Sequence, residues 1–139
     1  MKLGKMLGVL TIVPLMIGTA QAGDAAAGKK SFKRCKSCHA ITAVDGTKIV
    51  KGGKTGPNLY GLIGRAVGSQ DGFSYGESIA AAGAAGIVWD EENLALYVAD
   101  PTAWLKEALG DASAKSKMTF KLKKGGDDMA AYLATMAPS

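Results

Sequence analysis

The chain has 139 residues, 47% hydrophobic and 6% aromatic, with a formal charge of +5. That length holds one compact domain and no more. So modest a charge excess does not mark a nucleic-acid binder, and the export signal described next argues against nucleic acid as a partner.

Lys2 and Lys5 give a positive start, residues 6–18 are apolar and uncharged, and Ala20-Gln21-Ala22 offers a small-x-small cleavage pattern. The apolar run is short for a bilayer span and Pro14 interrupts it, which favours cleavage over a retained anchor. Residues 1–22 therefore read as a signal peptide and residues 23–139 as the mature domain. Losing Lys2 and Lys5, and no acid, takes the formal charge from +5 to +3. No second long apolar run follows, so a soluble mature protein is expected.

In chain order, Asp24 can cap a helix running through Ala25, Ala26 and Ala27 to the cysteines, with Phe32 on its apolar side. Residues 40–74 are rich in Gly, Lys and turn pairs and read as loops. A brief helix is expected at residues 77–82. Asp90 can cap a firmer one, with Glu91 and Glu92 in its first turn, ending before Pro101. Residues 102–109 suit another short helix. The last spans about residues 127–136, with Met129, Tyr132, Leu133 and Met136 on one face. No segment shows sustained strand alternation. Short helices joined by such long loops predict an all-α domain folded around a group the chain does not encode.

Cys35 and Cys38 are the only cysteines and His39 the only histidine, and all three fall in Cys35-Lys36-Ser37-Cys38-His39. Two cysteines in an exported chain leave three readings: a redox disulfide, half a metal site, or haem attachment. A thioredoxin-like pair needs a βαβ context that the pattern lacks, and zinc needs a fourth ligand that no other Cys or His supplies. Haem attachment accounts for all three residues. Positions three apart on a turn put both thiols along one porphyrin edge, and the next residue sets an imidazole under the iron.

The second iron face then needs methionine, lysine or nothing. Met129 and Met136 suit the apolar face of the last helix. Met118 lies in the polar stretch Lys115-Ser116-Lys117-Met118-Thr119-Phe120. A lone loop methionine is usually just exposed, but beside a haem with a vacant axial position ligation is the better reading, and a thioether raises the reduction potential. Lys33, Arg34, Lys36, Lys54, Lys115, Lys117, Lys121, Lys123 and Lys124 flank these two segments. Together they predict a positive collar for acidic partners, against the alternative of an ordinary solvated surface.

With these residues placed, residues 23–136 resemble class I cytochromes c, most nearly the bacterial cytochrome c2 and c550 group. The likeness rests on an ordered series. It begins with Gly28, Phe32, the Cys35–His39 pentapeptide and Thr55-Gly56-Pro57-Asn58-Leu59-Tyr60-Gly61, followed by Gly64-Arg65 and Gly72-Phe73-Ser74-Tyr75. It ends with Trp89, Tyr97, Pro101, Lys117-Met118-Thr119-Phe120 and Tyr132-Leu133. The resemblance implies the class I cytochrome c fold around one covalent haem c held by Cys35 and Cys38, with His39 and Met118 as axial ligands. It implies that the Pro57 carbonyl orients His39, that Arg65, Tyr75 and Trp89 meet a buried propionate, and that Tyr97 sits near the Met118 sulfur. Gly28 would let the first helix cross the last closely, against Tyr132. Residues 43–50 and 104–114 are extra relative to the shortest members.

The implied function is that of a periplasmic, monomeric one-electron carrier. It would take electrons from a cytochrome bc1 complex and give them to a photosynthetic reaction centre, a terminal oxidase or a denitrification enzyme. A peroxidase or gas-binding haem protein would need an open distal face with groups such as a second histidine, which the chain lacks. A thiol oxidoreductase would show two titratable thiols and no haem.

Overall fold

The computed structural model describes residues 23–136; the expected signal peptide lies outside them. Five helices and one short β-hairpin follow in order: α1 (Ala25–Ser31), β1 (Ile41–Thr42), β2 (Lys48–Val50), α2 (Glu77–Ala84), α3 (Glu91–Ala99), α4 (Pro101–Leu109) and α5 (Gly126–Ala134). No helix among the described residues is long and apolar enough to cross a membrane.

Asp24 caps α1, its carboxylate accepting from the Ala26 and Ala27 N–H groups at 2.9 and 3.2 Å. The Asp24 N–H donates to Asp128 at 2.7 Å, so the start of α1 is tied to α5. A Cβ at Gly28 would collide with the Asp128 carbonyl, which is why the two helices can cross at this residue. Phe32 and Tyr132 meet edge to face beside that crossing, 5.8 Å between centroids. After α1 the chain tightens into a 3-10 turn, Phe32–Arg34, which delivers the cysteines.

Asp90 and Asn93 form a reciprocal capping box on α3. Asp100 then closes α3 and caps α4, where Pro101 occupies the first helical position. The fourth helix thus starts at the proline, one residue before the expected start. Gly110 ends it at φ 61°, a left-handed conformation that suits glycine. α5 packs against both α1 and α3. That double contact buries Met129, Ala130, Ala131, Tyr132 and Leu133 in succession, a wider surface than the single face expected. Met136 lies beyond the helix end, its carbonyl accepting from the Gly61 N–H at 3.0 Å.

The hairpin is an addition to the expected loops. Ile41 pairs with Val50 and Thr42 with Lys48, closed by Ala43 N–H to Thr47 C=O and by Asp45 accepting from Thr47 N–H, both 2.9 Å. Strands this short cannot display alternation in the sequence. The extra residues 43–50 form most of it. The extra residues 104–114 fill the end of α4 and the following turn, burying Leu105 and Ala114 in the core.

Candidate haem site

The pentapeptide is one continuous turn. The Cys35 N–H donates to Phe32 C=O at 2.8 Å, and the Cys38 and His39 N–H groups both donate to Cys35 C=O, at 3.1 and 3.0 Å. Both thiols are free, Cys35 half-buried and Cys38 exposed. Burial pushes the Cys35 thiol up, with Arg34 pulling the other way.

His39 Nδ1 lies 2.8 Å from the Pro57 carbonyl oxygen. A carbonyl only accepts, so Nδ1 carries the proton and Nε2 keeps its lone pair, the tautomer a metal ligand requires. Burial lowers the His39 pKa, which favours the neutral ring, although the Pro57 bond opposes the shift. Residues 52–57 form a strap over this turn, with the Gly53 N–H on Lys36 C=O at 2.9 Å and the Gly56 N–H on Cys38 C=O at 2.8 Å. A Cβ on Gly52 would strike the His39 carbonyl, one on Gly53 the Ser37 carbonyl, and one on Gly56 the His39 ring. Gly52 and Gly53 were not singled out from the sequence, and Gly56 was named only within the Thr55–Gly61 series. Their density there is visible, but their target is not.

Met118 is partly buried against the core. Its N–H donates to Ser116 Oγ at 3.1 Å, the Ser116 N–H donates to Thr102 Oγ1 at 3.2 Å, and the Tyr97 and Ser116 hydroxyls share a bond at 3.4 Å. The loop therefore hangs from α3 and α4. Tyr97, expected near the Met118 sulfur, reaches this loop through Ser116. Burial raises the Tyr97 pKa, with the Ser116 bond opposing. Trp89, Tyr97 and Trp104 form a mutual aromatic cluster, with Trp89 stacked on Trp104 at 5.3 Å. Ser116, Thr102 and Trp104 were also not foreseen.

Arg65 is half-buried and sends Nη1 to Tyr60 C=O at 3.2 Å and Nη2 to Asn58 C=O at 3.1 Å. Desolvation lowers its pKa, with Tyr75 acting against this. The single ion pair among the described residues joins Lys121 to Asp100, so no acid partners Arg65 there. Trp89 is bound to Arg65 through the backbone, its N–H on Arg65 C=O at 2.9 Å. Tyr75 accepts from the Gln70 N–H at 3.2 Å.

Arg34, just before Cys35, lies over the Phe120 ring at 5.4 Å, two residues after Met118. That contact brings the two basic segments to one edge. Lys33, Arg34, Lys36, Lys54, Lys115, Lys117, Lys121, Lys123 and Lys124 are all exposed.

The donor set fits haem c. Two free thiols share a turn, an imidazole has its proton on Nδ1, a thioether is partly buried against the core, and a half-buried guanidinium has no ion-paired acid among the described residues.

No protein-family model matches the chain. It is 56% identical over 131 residues to cytochrome c2 of Rhodobacter capsulatus, across 94% of this chain and 96% of that one. It is 54% identical over 120 residues to cytochrome c-550 of Paracoccus pantotrophus, across 85% and 90%. Among solved structures, Rhodobacter capsulatus cytochrome c2 matches with a TM-score of 0.81 at 60% identity, covering 81% of this chain and 97% of that one. Ferric cytochrome c-550 of Paracoccus versutus matches at 0.81 and 53% identity, covering 84% and 99%.

Proposed function

The chain belongs to the class I cytochromes c, in the cytochrome c2 and c-550 group, and on that premise we propose that it is a soluble periplasmic shuttle whose haem is ligated by His39 and Met118. The protein is an electron carrier rather than an enzyme, and its cofactor is one covalent haem c. That group supplies a one-electron ferric/ferrous couple. The residues of the chain bind it, orient it and keep water from it.

Cys35 and Cys38 would hold the haem by thioethers. His39 would ligate through Nε2, because Pro57 occupies Nδ1; this hydrogen bond is the observation that carries the reading. Met118 would close the other face, held by the Ser116, Thr102 and Tyr97 hydroxyls. Arg65, Tyr75 and Trp89 would surround a propionate. Residues 1–22 would direct export and be cut off after Ala22.

The exposed lysines around Arg34 and Phe120 would guide a monomer onto acidic surfaces, speeding encounter while keeping the complex short-lived. The donor would be a cytochrome bc1 complex and the acceptor a photosynthetic reaction centre, a terminal oxidase or a denitrification enzyme. The test is an absorption spectrum, oxidised and reduced, with and without carbon monoxide. Sharp low-spin reduced bands, a sulfur-to-iron charge-transfer band when oxidised and no carbon monoxide response are expected. A high-spin spectrum that shifts with carbon monoxide would remove Met118 from the iron.

A further inference from the structure

Beside Arg65 the chain buries a polar atom that has nothing to bond: Gln70 Oε1 is without a partner among the described residues. An orphaned acceptor of this kind is costly unless something outside the chain completes it. Its neighbours are two of the groups proposed to meet a haem propionate. The Gln70 N–H donates to the Tyr75 hydroxyl at 3.2 Å, and Gln70 lines the same recess as Arg65, Asn58, Tyr60 and the exposed Asp71, which makes no ion pair with Arg65.

The three groups share an unmet need. Arg65 spends Nη1 and Nη2 bonds on the Tyr60 and Asn58 carbonyls and has no carboxylate among the described residues. The Tyr75 oxygen already accepts from Gln70, which leaves its own proton to donate elsewhere. A guanidinium and a phenol O–H are both suited to a carboxylate. An ionised carboxylate, however, has no proton to give Gln70 Oε1, and Arg65 favours the ionised form. A half-turn about the last side-chain torsion of Gln70 exchanges Oε1 with Nε2. The NH2 group then faces inward and the carbonyl outward.

We propose that Gln70 is a positioning residue for a haem propionate, donating a side-chain N–H to the carboxylate beside Arg65 and Tyr75. This rests on the haem reading above and adds to it a donor that touches neither axial ligand. Such a donor partly neutralises the carboxylate. Without it, the stronger negative charge favours ferric over ferrous iron, and the reduction potential falls.

Gln70 is the only glutamine in residues 23–139, so glutamine-selective nitrogen-15 labelling of the holoprotein shows its side-chain amide pair apart from those of Asn58 and Asn93. One of its two protons is expected to exchange slowly with solvent. Gln70→Leu is expected to lower the potential and Gln70→Glu to lower it further, with unchanged axial-ligand bands and near-parental Tm. Variant potentials equal to the parent's, or a parent amide exchanging as fast as free glutamine, overturn the proposal. Should the variants fail to accumulate, the exchange rate in the parent protein decides it alone. A protein with no covalent haem sinks the haem reading itself, whereas a haem protein with a freely exchanging Gln70 amide sinks only this assignment.

Discussion

Residues 35–57 and residues 97–122 each present one candidate axial ligand, but they hold it by different means. His39 sits in a short stretch of chain whose backbone bonds run at 2.8–3.2 Å and whose glycines let the strap lie directly on the turn. Met118 sits in a loop whose Ser116 is hung from hydroxyls on two other helices, Thr102 at 3.2 Å and Tyr97 at 3.4 Å. The first arrangement is rigid because almost no side-chain torsion separates the anchor from the ligand. The second must order several rotamers and closes a longer loop, so it is the side expected to open first.

The largest expected effect tests the rigid side. In Gly56→Ala the new methyl would overlap the His39 ring, and neither the ring nor the Pro57 carbonyl can retreat without breaking their bond. Overpacking of this kind costs about 1–3 kcal/mol, here concentrated on a ligand. The yield of haem-loaded protein should collapse. Normal yield with a parental spectrum would mean that the strap is looser than its contacts imply.

Next comes Met118→Ala, which removes the ligand on the loop side and leaves His39 in place. The potential should fall by at least about 0.1 V, within the ~0.8 V range that axial ligation spans. Reduced protein should also bind carbon monoxide. An unchanged potential would take Met118 out of its role.

Ser116→Ala is smaller and sharpens the contrast, because it spares both ligands. It strips a partner from the Met118 N–H and from the Tyr97 hydroxyl. Each group left buried and unpaired costs about 1–3 kcal/mol. In a urea titration, the sulfur-to-iron band should vanish well before global unfolding, and by a wider margin than in the parent. Coincident loss in both proteins would show that the hydroxyls do not govern the loop.

The same contrast explains what could be read from the sequence. The histidine side was legible because its chemistry is contiguous: Cys35, Cys38 and His39 spell their own spacing, and Asp24 and Asp90 announce the helices they cap. The hairpin was not, since two- and three-residue strands have no period to detect. Ser116, Thr102 and Gln70 look like any surface polar residues until the fold sets them beside Met118 and Arg65. Gly52, Gly53 and Gly56 were visible as glycines, but the backbone and the His39 ring they lie against come from another part of the chain. What the sequence withheld was tertiary juxtaposition.

The smallest effect sits where α4 meets the loop that follows Met118. Asp100 accepts from the Ala103 N–H as the cap of α4 and pairs with Lys121 on the loop. The Lys121 hydrogen bond, then the Ala103 N–H, hold the Asp100 carboxyl below the usual carboxylate range. A carboxylate with a depressed folded pKa contributes stability above its unfolded pKa and loses it as pH falls through the folded value. Both side chains are well exposed, so the contribution is small and salt-sensitive. Asp100→Asn keeps the cap, because asparagine caps as well as aspartate, and removes only the charge. Its Tm should lie slightly below the parent's at neutral pH and low salt, and the gap should close as pH drops below the carboxylate range or as salt rises. A gap independent of pH would mean that Asp100 acts through its cap geometry, leaving the Met118 loop tethered by its hydroxyls and by the Leu122 N–H on Val98 C=O.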